Sequence, residues 1–189
     1  MSSFYSDEEV AGIGFNKVGT NVLISRKASF YGVSRISIGN NVRIDDFCVL
    51  TAGRGGIEIG NYIHLAFFVL LQGQGKITME DFSGLASRVS VYSSSDDYLG
   101  EHMSNPTVPR RFLGEICGDV TLCKHVLIGS GTVILPGVTL HEGAAVGALS
   151  LVNSDCEEFY LYKGNPAKKI FRRSRNLKKL EQEFLESIK

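Results

Sequence analysis

The chain has 189 residues, with 20 lysines and arginines against 20 aspartates and glutamates, and four cysteines. That length suits one domain with a real core, and the even charge balance excludes the overall basic field that drives nonspecific nucleic-acid binding. Cys48, Cys117, Cys123 and Cys156 show no Cys-x-x-Cys spacing, the amino terminus is acidic where a secretion signal is basic and apolar, and no run approaches a membrane span; reduced thiols and a cytoplasmic location are the expectation.

In chain order, Ser6 and Glu9 have the spacing of a helix capping box, which predicts a short cap over residues 6–14 ended by Gly12 and Gly14. A hexapeptide repeat follows. It reads Val18-Gly-Thr-Asn-Val-Leu-Ile24, Ile38-Gly-Asn-Asn-Val-Arg-Ile44, Ile59-Gly-Asn-Tyr-Ile-His-Leu65, Met79-Glu-Asp-Phe-Ser-Gly-Leu85 and Leu122-Cys-Lys-His-Val-Leu-Ile128. Such units have no core of their own and become stable only by stacking, so the pattern predicts an all-β solenoid with coils over 18–92 and 119–156. The starts advance from Val18 to Ile38, Ile59 and Met79, three hexapeptides plus two or three residues, and Gly53-Arg-Gly-Gly56 and Gly73-Gln-Gly75 supply those extras as corner loops. Strand alternation turns the first residue of each hexapeptide inward and its neighbours outward. After Val91 the rhythm fails, and residues 93–118, with Gly100, Pro106 and Pro109, read as an inserted loop. Steps of six resume through Leu122, Ile128, Ile134, Leu140, Val146 and Val152; Leu177, Leu180, Phe184, Leu185 and Ile188 then fall at helical spacing, predicting an amphipathic helix over 174–189 that covers the last coil. Exposed aliphatic faces on such a stack predict self-association.

The run Ile128-Gly-Ser-Gly-Thr-Val-Ile-Leu-Pro-Gly-Val-Thr-Leu-His-Glu-Gly-Ala-Ala-Val-Gly-Ala-Leu-Ser, followed by Gly164-Asn-Pro-Ala-Lys-Lys-Ile170, resembles the hexapeptide-repeat acyltransferases. Galactoside and maltose O-acetyltransferases and the sugar acetyltransferases of surface-polysaccharide clusters are the nearest look-alikes, over roughly residues 18–172. The resemblance implies a left-handed parallel β-helix, a homotrimer, and acetyl-CoA bound between neighbouring prisms. It also implies a pantetheine path along Gly129, Ser130, Gly147 and Ala148, beside the tail signature at Pro166. Glycines there also serve tight turns. Lys168, Lys169, Arg172 and Arg173 suit the phosphates of coenzyme A, or else form a solvated basic helix start.

Acetyl transfer needs a base near neutral pKa and donors for the oxyanion. Aligning the family's histidine motif on Val91-Tyr-Ser-Ser-Ser-Asp-Asp97 puts Asp96 where the family has its catalytic histidine. An aspartate at its reference pKa of about 3.9 is a weak base. Asp96 is read either as the orienting partner of an imidazole, as an acceptor for a sugar hydroxyl or ammonium, or as a cap on loop amides. His64 precedes the inward Leu65, projects outward, and is the preferred general base; the plain alternative is a surface histidine bonded to its own corner or to a neighbouring subunit. His102, in the insertion, is a second candidate for the acceptor side, and Arg110 and Arg111 could meet an acceptor's diphosphate. His125 and His141 occupy turn positions and are expected to face solvent.

The resulting expectation is an acetyl-CoA-dependent transferase acting on a hydroxyl or amino group of a nucleotide- or lipid-linked sugar of bacterial surface polysaccharide, without a metal. The residues do not choose between oxygen and nitrogen; the departure at Asp96 makes N-acetylation of an amino sugar the runner-up, because an amine needs less help from a base. The alternatives are a coenzyme A- or sugar-binding scaffold trimer that has lost catalysis and a zinc enzyme on the same helix, although no third ligand is placed to join His64 and His102.

Overall fold

In the computed structural model, which describes residues 3–188, the repeats wind a three-sided parallel β-helix. The first face stacks six strands, from Lys17–Val18 to Thr139–Leu140, and aligns Val18, Ile38, Ile59, Met79, Leu122 and Leu140 in one inward column. The second face has eight strands and the third six. Ile24, Ile44, Leu65, Leu85, Ile128 and Val146 line the second face's inner side and are buried, as strand alternation requires. Removing such a side chain costs about 2–5 kcal/mol, because the narrow prism cannot collapse around the cavity.

A short helix α1 (Asp7–Gly12) begins at Ser6 with the full capping box and buries Val10. The stack extends beyond residue 156: Tyr160–Lys163 adds a parallel rung to the second face and Lys168–Arg172 turns back antiparallel through the cis Asn165–Pro166 bond. This hairpin, rather than the terminal helix, follows the last coil.

At two of the corners the coils turn through single residues in the left-handed region. Between the first and second faces these are Asn21, Asn41, Tyr62, Phe82 and His125; between the second and third they are Phe47, Phe68, Arg88 and Leu149, with φ between 54° and 63° in every case. This conformation is costly for residues with a Cβ. It is held by rung-to-rung hydrogen bonds such as Phe82 N to Asn61 O at 3.0 Å and Arg88 N to Phe67 O at 2.9 Å. Because the backbone repeats, the side chains stack. Tyr62 lies on Phe82 with ring centroids 4.9 Å apart, Phe82 on His125 at 5.2 Å, and Phe47 on Phe68 at 5.0 Å.

Three expectations are corrected by the structure. Helix α2 (Asn176–Ser187) does not cover the last coil but lies along the first of these corners. Its Phe184 meets the Tyr62 ring edge-on at 5.2 Å, Glu181 bonds Lys124 and His125, and Lys178 bonds Glu142. His125 is therefore not solvent-facing; α2 covers it, whereas His141 is exposed. The insertion is also more ordered than a plain loop. Ser94–Asp96 pairs antiparallel with Glu115–Cys117 to make a stalk, and the coil resumes in register, with Met79 opposite Leu122.

Candidate active site

His64 stands on the outer side of the second face, in the row Arg43, His64, Gly84, Leu127 and Ala145. Its Nε2 lies 2.7 Å from Oδ2 of Asp45, whose Oδ1 accepts from Arg43 Nε at 2.7 Å. Asp45 is buried while the imidazole is half-exposed. A carboxylate fixed by a guanidinium thus holds the ring by one nitrogen and orients it. At Gly84, one coil on, an added Cβ would meet only the His64 carbonyl, 4.0 Å away, so the row is open beside the ring. Phe67 and Phe68 follow on the same coil, both exposed.

A second histidine–aspartate couple sits in the insertion, and its aspartate is Asp97. The Asp97 carboxylate accepts from the amides of Leu99 at 2.7 Å and His102 at 2.8 Å, and lies 3.2 Å from His102 Nδ1. Those amides, that of Leu99 foremost, hold its pKa below the usual carboxylate range. Asp96 is on the exposed end of the stalk, opposite Glu115. The insertion leaves the third face and re-enters at the first, so one chain does not bring His102 and Asp96 onto the face that bears His64. Arg110 lines a groove between the insertion and the third face, whereas the Arg111 guanidinium lies over Phe112.

Gly129 and Gly147 lie on the continuation of the His64 face. A Cβ on Gly129 would fall 2.5 Å from Ala148 N, so coil stacking alone demands this glycine. Ser130 and Ala148 are exposed beside them. On the terminal hairpin the whole strand Lys168–Arg172 is exposed, and its cations flank the apolar pair Ile170 and Phe171. Lys169 bonds Glu157 at 2.6 Å and Arg172 bonds the Tyr160 hydroxyl at 2.6 Å, while Arg173 is tied to Gly143 O. Such a strip offers charge to phosphates and apolar surface to a thioester arm. Among the described residues no group of three or more histidine, cysteine, aspartate or glutamate side chains could hold a metal, and no helix is long and apolar enough to cross a membrane.

No family model matches the chain. Individual proteins do. It is 54% identical over 181 residues, 95% of this chain and 94% of the other, to a dTDP-4-amino-4,6-dideoxy-D-glucose acyltransferase of Escherichia coli. It is 48% identical, with a TM-score of 0.94, to AntD, an N-acyltransferase from Bacillus cereus solved with dTDP and 3-hydroxybutyryl-CoA, covering 100% of this chain and 99% of that one. A cysteine-for-serine variant of AntD, solved with dTDP-4-amino-4,6-dideoxyglucose and coenzyme A, matches with the same identity and TM-score over 99% of both chains. Further AntD structures replace that serine with other residues, or replace an aspartate ten positions beyond it.

Proposed function

The chain belongs to the hexapeptide-repeat acyltransferases, whose helix is left-handed, and from that premise we propose that it transfers an acyl group from coenzyme A to the amine of a dTDP-linked 4-amino-4,6-dideoxy sugar. The carrying observation is identity above one half along nearly the full length of a relative named for that sugar. We read the acyl group as acetyl and the product as a cytoplasmic precursor of surface polysaccharide. The four free cysteines suit that compartment.

In this reading His64, oriented by Asp45, takes the proton released as the amine nitrogen attacks the thioester carbon; the new C–N bond replaces the C–S bond, and His64 returns that proton to the departing sulfur, so that coenzyme A leaves as the thiol. Lys168, Lys169 and Arg172 would hold coenzyme A phosphates, with Gly147 and Ala148 beside the arm. The AntD substitutions point to one more pair, because Ser87 and Asp97 are the only serine and aspartate ten positions apart in this sequence. Ser87 lies at the corner between the second and third faces, one coil beyond Phe67, and Asp97 lies in the insertion, across the width of the third face. Their separation within one chain supports a site shared between copies. Self-association would also withdraw the half-exposed His64 from water, and the family resemblance supports a trimer as the assembly.

The test is thiol release from acetyl-CoA with dTDP-4-amino-4,6-dideoxyglucose as acceptor, beside simple glycosides. Turnover on the amino sugar that falls about a hundredfold or more in kcat/KM in His64→Ala supports the assignment. Full activity in that variant moves the role to the Asp97–His102 couple or to an unassisted amine.

A further inference from the structure

Where the stalk of the insertion leans against the third face, it closes one side of a groove of about 620 Å3. That size falls within the ~300–1,000 Å3 typical of small-molecule sites. Three arginines from different coils meet in it. Arg35 comes from the first coil and is immobilised, its Nε donating to Gly53 O at 2.7 Å and its Nη2 to Ala52 O at 2.7 Å. Arg54 comes from a corner loop of the second coil and Arg110 from the insertion itself, and both side chains are exposed. Glu115 is the one carboxylate in the wall, so the groove carries an excess of positive charge.

We propose that this groove seats the nucleoside diphosphate of the acceptor, with Arg54 and Arg110 on the two phosphates and Tyr31 and Gln72 receiving the pyrimidine. The proposal rests on the nucleotide-sugar reading above and adds to it the residues that would recognise the nucleotide. Planar forked donors match phosphate oxygens at short range. The Tyr31 ring lines the groove at 59% exposure and offers a stacking surface, and Gln72 is exposed two coils away on the same outward row. A primary amide carries both N–H donors and a carbonyl acceptor, and so can meet the carbonyl and the N–H of a pyrimidine imide edge together. The placement also aims the sugar. Ser94 lies in the groove wall and starts the stalk that leads to Asp97, so a sugar joined to a diphosphate held at Arg110 would lie along the insertion, on the side of the shared site that carries Asp97.

The experiment is calorimetric titration of the full chain with dTDP and, separately, with coenzyme A, comparing wild type, Arg54→Ala, Arg110→Ala and the charge-matched control Lys179→Ala on the exposed side of α2. Expected is a loss of about tenfold or more in dTDP affinity in each groove variant, with coenzyme A affinity and the control unchanged. Wild-type affinity for dTDP in both groove variants overturns the groove as the nucleotide seat while leaving acyl transfer intact. An equal loss for both ligands also overturns it, because the effect is then not local. Failure of the wild type to bind dTDP at all overturns the nucleotide-sugar reading together with the groove.

Discussion

Two corners of the same prism are built alike and finished differently. Both stack aromatic residues in the left-handed conformation, Tyr62, Phe82 and His125 on one and Phe47 and Phe68 on the other, at nearly the same ring spacing. The first is covered by α2, whose Phe184 and Glu181 engage the rings and His125. The second is left open, with Phe47 and Phe68 about half exposed and only Lys27 and Arg88 over their rings. A stacked ladder by itself therefore does not determine whether a corner is core or surface. The cover does, and the uncovered corner is the one next to His64 and Ser87.

If the open corner is finished by another copy, Phe68→Glu should give the largest effect. It is expected to dissociate the assembly in sedimentation and to lower kcat/KM by about a hundredfold or more, with the isolated chain still folded by circular dichroism. An assembled and active Phe68→Glu would show that the aromatic pair faces only water. At the covered corner, Phe184→Ala should cost about 1–2 kcal/mol in urea unfolding while leaving assembly unchanged, since it removes a partly buried ring and its edge-on contacts.

Acid should loosen the same cover. Burial pushes the Glu181 carboxyl up, but the hydrogen bonds from Lys124 and His125 outweigh it, and its pKa ends below the usual value. A depressed carboxylate contributes stability that is complete above the unfolded value near 4.3 and is lost as pH falls through the folded one. Glu181→Gln should therefore flatten the fall in melting temperature below about pH 4. The smallest effect is expected at Cys123, which adjoins this corner and whose thiol is raised by burial and then by Glu80 and Glu142. Undocking α2 through Glu181→Gln should speed its labelling a few-fold. Cys48 and Cys156, pushed up to about 11 and about 12 by burial, should stay unreactive in both proteins.

The repeat made the prism, its inward columns and the capping box legible from residues alone, because each follows from a local period. The docking site of α2 was not legible: helical spacing shows that Phe184 needs an apolar contact but does not say which surface lies within reach. The Asp45–His64 bond was closer to hand. The two are 19 positions apart, slightly less than one coil, so the period already set them on adjacent rungs. What concealed it was Asp45's place in a turn, where an aspartate reads as a solvated residue. Asp97 and Asp96 are neighbours in a loop without periodicity, and only the amides that converge on Asp97 distinguish them.

The stalk of the insertion has a consequence for how such a chain can change over time. Ile77 faces Val120 and Met79 faces Leu122 as if the residues between them were a single ordinary coil. The solenoid thus treats residues 95–117 as a detachable cassette that enters and leaves through one antiparallel pair, while Ser93, Ser94 and Gly118 stay bonded to each other and to the coil. Loops of other lengths and chemistries could be exchanged at that doorway without disturbing a single rung, so a lineage can acquire a new acceptor while inheriting its scaffold intact.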